Sequence, residues 1–240
     1  GMNKCIDSIG LIAQKQHYED IIRHWQDSTG YLKGQLDFDK MARFYNERFE
    51  PRKAAMYFQE TFLRTNELTD RALKALTSMT KKDKKGDYVT FADNSNTWDA
   101  SLDKDVQAVL LKNYREHVDA KYLPAFYQII DKKFGGDYQK YVNYLWETSA
   151  LMKKDAKVYV TKKAIKKDAG LQYGAQLKAM REVFNRALDA TRDSIDNQEQ
   201  MLCAAKLRME EDLPHYSDAN FTMRLSYGQV GGFDLGGRPS

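Results

Sequence analysis

Apolar residues recur every three or four positions along most of the chain, which is the spacing of helices with one buried face. The pattern predicts a first helix from Asn3 to Trp25, ending before Gly30. Its predicted buried face comprises Ile6, Ile9, Ala13, Ile21, Ile22 and Trp25. A second helical stretch runs from Asp37 to Ser78, with Pro51 inside it. Because proline lacks a backbone N–H, we expect either two helices or one kinked helix there. The apolar positions before that proline are Phe38, Met41, Ala42, Tyr45 and Phe49.

The helical pattern is interrupted between Thr80 and Ala100, where charged and short polar residues predict a long irregular connection. Ser101 is the predicted N-cap of the next helix. A further helix is expected to stop at Gly135 and Gly136, and Asp137 to cap the one after it. The buried face of that last helix would be Tyr138, Tyr141, Val142, Leu145 and Trp146. Their helical spacing favours core packing over an aromatic ligand cage.

The longest helical pattern spans Tyr173 to Met209 and has a 3.5-residue repeat over about five heptads. The repeated positions are Tyr173, Leu177, Met180, Phe184, Ala187, Thr191, Ile195, Gln198, Leu202, Ala205 and Met209. This repeat predicts a helix of roughly 55 Å that packs lengthwise in a bundle. Thr191 and Gln198 interrupt the apolar seam, so their polar groups need partners or water.

After Pro214 the period changes from helical to alternating, and the change predicts a β-strand from Asn220 to Val230. The segment Lys157–Thr161 is a weaker and shorter strand candidate. A single strand leaves its backbone groups unpaired, so we expect this one to join a sheet in a larger protein or in a partner. The fold class predicted is all-α, an elongated helical bundle with one long C-terminal helix and an orphaned terminal strand. Its expected divisions are a helical domain of residues 1–212 and a connecting strand with a glycine-rich tail at 213–240.

Composition places the chain among globular proteins of one or two domains. It has 240 residues, 42% hydrophobic and 30% charged, with a net charge of +4. Cys5 and Cys203 give no metal-ligand spacing. The lysine runs at 81–85 and 153–167 are read as solvated surface, because aromatic residues do not alternate with them as in nucleic-acid platforms. We therefore expect no metal, no cofactor, no nucleic acid, no membrane span and no targeting segment.

Residues suited to catalysis are scattered along the sequence. His17 and His24 are seven positions apart, whereas helical metal sites favour a spacing of four with a third ligand nearby. The pairs Glu210–Glu211 and Asp99 with Asp103 are interpreted as helix-cap and surface charges rather than acid–base couples.

One segment carries a specific resemblance. The run from Tyr216 to Val230, Tyr-Ser-Asp-Ala-Asn-Phe-Thr-Met-Arg-Leu-Ser-Tyr-Gly-Gln-Val, resembles a segment of bacterial serine dipeptidyl-peptidases of the dipeptidyl-peptidase 7 and 11 type. Phe134–Tyr138 and Tyr141–Ser149 are similar to the same family, and Trp25 with Gly30 and Gly34 match it more loosely. The sequence departs from the family at Ser217, where proline is usual, and after Val230.

The resemblance implies an enzyme with a chymotrypsin-like double β-barrel, a Ser-His-Asp triad and an inserted helical domain over the cleft. Such an enzyme removes dipeptides from peptide N-termini in the periplasm or at the cell surface. This chain resembles the helical cap and the strand that re-enters the missing barrel. None of His17, His24, His117 and His215 stands in the family's His-His-Cys-Gly context, and no serine stands in its Gly-x-Ser-Gly-x context. We therefore expect the chain alone to be inactive, with peptide substrate and barrel as partners of the parent enzyme.

The matched residues of the strand motif are Asn220, Phe221, Thr222, Arg224, Tyr227 and Gly228. Alternate residues of a strand face opposite sides, so these side chains cannot all reach one ligand. We interpret them as anchors between the helical domain and its barrel, and we name no substrate-binding residue. The alternative function is a non-enzymatic helical protein-binding module, and a homodimer is left open.

Overall fold

The computed structural model describes residues 9–63, 66–78, 91–92, 99–153, 157–158, 160–213 and 228. These residues form eight α-helices and one short strand pair, so the predicted all-α class is confirmed. The helices are α1 (Leu11–Thr29), α2 (Phe38–Phe58), α3 (Glu67–Ser78), α4 (Ala100–His117), α5 (Phe126–Phe134), α6 (Tyr138–Thr148), α7 (Lys162–Lys167) and α8 (Ala169–Met209). No helix among the described residues combines the length and apolar character that a membrane span requires.

The chain divides into two compact units, residues 34–200 and residues 1–33 with 201–240. The predicted boundary between a helical domain of residues 1–212 and a strand with a glycine-rich tail at 213–240 stays a prediction.

The unit of residues 1–33 and 201–240 contains α1. This helix ends at Gly30 as predicted, where φ is 73°. It begins at Leu11, after Gly10, whose φ of 65° does not continue a right-handed helix, and the predicted start at Asn3 lies outside the described residues. The predicted buried face is mostly wrong: Ile9, Ala13 and Ile21 are exposed, while Ile22 and Gln26 are buried. Ile6 lies outside the described residues.

In the unit of residues 34–200, Asp37 is the N-cap of α2, and its side chain accepts a hydrogen bond of 2.9 Å from Lys40 N. The helix continues through Pro51 to Phe58, so of the two alternatives the division into two helices at the proline is wrong and a single helix is present. A π-helical turn at Gln59–Leu63 follows, and the next helix, α3, begins at Glu67. Pro51 cannot donate a backbone hydrogen bond to the helix. Ala54 and Phe58, which follow it, are buried, and their packing stabilises this part of α2.

The core of this second unit is rich in aromatic rings. Phe62 packs against Tyr114 with ring centroids 5.0 Å apart, and Phe126 packs against Tyr173 at 4.9 Å. As predicted, α5 ends at Gly135 and Gly136, and Asp137 caps α6 by accepting from Lys140 N. The predicted buried face of α6 is confirmed: Tyr141, Val142, Leu145 and Trp146 are buried, and Tyr138 is half-buried against the same cluster.

Two local predictions need correction. The N-cap of α4 is Asp99, whose carboxylate accepts from Ser101 N at 2.8 Å and Leu102 N at 3.0 Å, so Ser101 is not the cap. The weaker strand candidate contains a real strand: β2 (Lys157–Val158) pairs antiparallel with β1 (Phe91–Ala92) inside the connection expected to be irregular. The predicted terminal strand lies outside the described residues, apart from Gly228.

The heptad pattern of α8 is confirmed by burial. Tyr173, Leu177, Phe184, Thr191, Ile195, Gln198 and Ala205 are buried, and the other seam residues are half-buried. Gln198 has hydrogen-bond partners, as its buried seam position requires. Its Oε1 accepts from Asp37 N at 2.9 Å, and its Nε2 donates to Gln35 O at 3.0 Å. The hydroxyl of Thr191 is buried without a hydrogen-bond partner in the described structure.

Candidate functional site

A serine hydroxyl contacts a carboxylate between the end of α6 and the start of α8. Ser149 Oγ donates to Asp168 Oδ1 at 2.8 Å, and Ala150 N donates to Asp168 Oδ2 at 2.7 Å. Leu171 N also donates to Asp168 Oδ1, so the carboxylate caps the first turn of α8. No histidine contacts this pair within the described part of the chain. Among the described residues the hydroxyl therefore has no imidazole base, and the contacts observed are those of a helix cap.

A second polar cluster surrounds the fully buried Tyr173. Trp146 Nε1 donates to Gln107 Oε1 at 2.9 Å, and Gln107 Nε2 donates to the Tyr173 hydroxyl at 3.4 Å. Thr69 Oγ1 also donates to that hydroxyl at 3.4 Å. Burial raises the pKa of Tyr173 to about 12, although these hydrogen bonds oppose the rise. The phenol therefore stays neutral at physiological pH and serves as a hydrogen-bond centre of the core.

Beside this cluster lies Asp103, one of the paired acids that the sequence interprets as cap or surface charge. Its carboxylate accepts from Glu67 N at 3.0 Å, and burial raises its pKa. The contact ties α4 to the first residue of α3. Asp99 is confirmed as a helix cap, so this pair stabilises local backbone.

The described histidines form no hydrogen bond to a serine or cysteine side chain in the described structure. His17 and His24 line an open cavity of about 480 Å³ with Asp20, Ile21, Trp25, Ser28 and Met209, and the Ser28 hydroxyl donates to Trp25 O rather than to a histidine. His117 stacks on Tyr57, and its Nδ1 lies 2.9 Å from Asn113 O. No group of three possible metal ligands occurs among the described residues. His215 lies outside them.

The strand motif lies almost wholly outside the described residues. Asn220, Phe221, Thr222, Arg224 and Tyr227 lie outside them, and their role stays a prediction. Gly228 is exposed, and a side chain at this position would meet no atom within 4 Å.

A groove lies between α2 and α8 that the sequence analysis did not predict, and we call it the Arg48 groove. It measures about 450 Å³ and is lined by Tyr45, Arg48, Phe49, Arg52, Ile195, Asp196 and Glu199. Tyr45 Oη donates to Glu199 Oε1, and this hydrogen bond is the main cause of a raised Tyr45 pKa. Tyr45 and Phe49 belong to the apolar positions of the predicted helix before Pro51, and both are exposed. Arg48 and Arg52 are one helical turn apart and lie next to Tyr45 and Phe49 in the sequence. Such a pair of charged residues indicates a solvent-exposed helix face.

Comparison with known proteins gives one consistent result. A family model described as peptidase S46 matches residues 1–239. Dipeptidyl-peptidase 7 of Porphyromonas gingivalis is 26% identical and that of Phocaeicola vulgatus 27%, over 98% and 96% of this chain. The Asp/Glu-specific dipeptidyl-peptidase of Porphyromonas gingivalis is 25% identical over 97% of the chain. In each case the matched region is 34% of the relative, so the chain spans about a third of the length of these relatives.

Proposed function

This chain belongs to the peptidase S46 family, and on that premise we propose that it is the helical cap domain of a serine dipeptidyl-peptidase. The parent enzyme would remove dipeptides from the free N-termini of peptides in the periplasm or at the cell surface. Its catalytic β-barrels and triad would lie in sequence beyond this third of the relatives' length. The observation that carries the proposal is a family match over residues 1–239 to proteins three times as long, whose names specify dipeptide release.

The contacts of the described residues support a positioning role. No imidazole of the described residues hydrogen-bonds Ser149, whose hydroxyl donates to Asp168, and the buried polar groups around Tyr173 join helices to one another. A rigid helical domain over a cleft contributes by excluding water and aligning the peptide for attack, which requires no reactive group of its own. The matched relatives named above are all dipeptidyl-peptidases, so they lend no support to a separate protein-binding module.

The proposal is tested by comparing this chain with the full polypeptide encoded by its gene. Both are purified and assayed with fluorogenic dipeptidyl substrates, with and without an acetyl group on the N-terminal amine. The full polypeptide should release the fluorophore from free-amine substrates and spare the acetylated ones, and this chain should release none.

Two results would overturn the proposal. Turnover by this chain that co-purifies with it would place a catalytic pair in the helical region. A folded full polypeptide without activity on a panel of dipeptidyl substrates would remove the assigned reaction.

A further inference from the structure

The Arg48 groove carries charges of both signs that do not pair with each other. Arg48 and Arg52 lie on its α2 side, and Asp196 and Glu199 lie on its α8 side. Neither arginine forms a hydrogen bond or an ion pair with another described residue. Asp196 is likewise without such a partner among the described residues, while Glu199 accepts from the Tyr45 hydroxyl. The groove therefore offers cations on one side and carboxylates on the other to a ligand.

The Tyr45 hydroxyl shows that charges of both signs act at one place in the groove. Its hydrogen bond to Glu199 is the main cause of its raised pKa, the charge of Asp196 raises that pKa further, and the charge of Arg48 lowers it. Exposed charges interact appreciably only within a Debye length, which is about 8 Å at physiological ionic strength. A small ligand beside Tyr45 therefore reaches both kinds of charge.

The groove also has the size and the apolar surface of a small-molecule site. Its volume is about 450 Å³, and ligand sites measure roughly 300–1,000 Å³. Such sites combine apolar walls with a few polar groups that fix the orientation of the ligand. Here the buried Ile195 and the exposed ring of Phe49 supply the apolar part of the lining.

We propose that the Arg48 groove binds a short peptide in its zwitterionic form. The C-terminal carboxylate of the peptide lies on the α2 side, because the planar guanidinium fork matches a carboxylate. The N-terminal ammonium lies on the α8 side, where its three N–H groups donate to carboxylates. A ligand of one sign only would be repelled by one side of the groove, and a neutral ligand would leave the charges on both sides without partners. The choice of a dipeptide among zwitterions rests on the proposed function, because that reaction releases dipeptides with both ends free.

Titration calorimetry of the full 240-residue chain with three probes tests the assignment. The probes are leucyl-phenylalanine, the same dipeptide acetylated at its amine, and the same dipeptide amidated at its carboxylate. The free dipeptide should bind with a dissociation constant of about 1 mM or below, as a small ligand with two charged contacts allows. Each blocked form should bind at least about fivefold more weakly, because it lacks one charge-assisted contact.

Two variants connect each end of the peptide to one side of the groove. Arg48→Gln and Asp196→Asn should each weaken binding of the free dipeptide at least about fivefold. Arg48→Gln should also reduce the preference for the free over the amidated dipeptide, and Asp196→Asn the preference for the free over the acetylated one. Arg181→Gln removes an exposed arginine of α8 outside the groove and is the matched control, which should bind like the unmodified chain.

The proposal is overturned if the free dipeptide binds with a dissociation constant above about 1 mM. It is also overturned if either blocked form binds as tightly as the free dipeptide, which would indicate a site for a single charge, or if Arg181→Gln weakens binding as much as the groove variants. Circular dichroism of each variant separates loss of binding from loss of folding. Binding is measured without turnover, so failure here and failure of the proposed function are distinguishable.

Discussion

Replacing Gln198 with leucine should destabilise the protein, although a heptad seam ordinarily favours leucine. Gln198 occupies a seam position of α8 and is 3% exposed. Its side-chain amide satisfies two backbone groups of the segment that leads into α2, accepting from Asp37 N and donating to Gln35 O. Leucine would fill similar space but leave an N–H and a carbonyl without partners.

The magnitude follows from opposing contributions to the free energy of unfolding. A buried backbone group left unsatisfied costs roughly 1–3 kcal/mol, and the lower end applies to Asp37 N and Gln35 O because both residues are exposed and their bonds to Gln198 are part-buried. Burying a leucine in place of the amide returns about 1–2 kcal/mol of apolar transfer energy. Two lost partners outweigh one apolar gain, so Gln198→Leu should lower the unfolding free energy by about 1 kcal/mol.

Thr191 provides the matched comparison, two helical turns earlier on the same seam. Its hydroxyl is buried without a hydrogen-bond partner in the described structure. Thr191→Val removes an unsatisfied group at nearly constant volume and should raise the unfolding free energy by about 1 kcal/mol. Replacing a polar seam residue by an apolar one should therefore lower the free energy of unfolding at position 198 and raise it at position 191.

Urea denaturation followed by circular dichroism measures both changes as shifts of the midpoint at constant slope. A Gln198→Leu midpoint equal to or above that of the unmodified chain would refute the reasoning. It would show that water replaces the amide at Gln35 and Asp37 without cost.

Three other predictions follow from close contacts and buried groups. A methyl group at Gly174 would lie 2.7 Å from Ala72 Cβ, so Gly174→Ala should lower the melting temperature despite a helix-propensity gain of about 1 kcal/mol, and a higher one would contradict the packing. Asp168→Ala removes the acceptor of three hydrogen bonds and should cost about 3 kcal/mol in a denaturant titration, with Lys140→Ala on α6 as a nearly neutral control. Burial raises the pKa of Tyr173 to about 12, so its contribution to stability is complete below pH 10 and is lost as pH rises toward 12. Stability measured over that range should fall less steeply in Tyr173→Phe, and an identical slope would contradict the assignment.

Features with a short-range cause could be predicted from the sequence. The glycine pair 135–136 and the cap Asp137 depend on backbone conformation and on a side chain three residues from its partner. The α8 seam is long enough for its period to be unambiguous, and its buried residues match the repeat. The need of Gln198 for partners was also predictable, but their identity was not, because Gln35 and Asp37 lie more than 160 residues away.

Features that depend on which elements pack together could not be predicted in this way. Tyr45 and Phe49 have the spacing of a core face, yet they are exposed, because periodicity identifies an apolar face without identifying what covers it. Pro51 reduces local helix stability, but tertiary burial beyond it overrides that preference. The pairing of β1 with β2 joins two-residue segments that are too short for an alternating pattern to register.

The position of the buried polar contacts connects the fold to the proposed role of a cap. Asp168 holds the start of α8 to Ala150, and Gln198 holds a point about 45 Å further along the helix to the segment before α2. Each contact has a defined partner and length, so together they fix the rotation and register of α8, which apolar packing alone specifies less strictly. A domain that aligns a peptide without reacting with it needs this kind of rigidity, because a displacement of about 1 Å at the substrate costs a large factor in rate. Gln198→Leu in the full polypeptide should therefore impair dipeptide release beyond what its loss of stability explains.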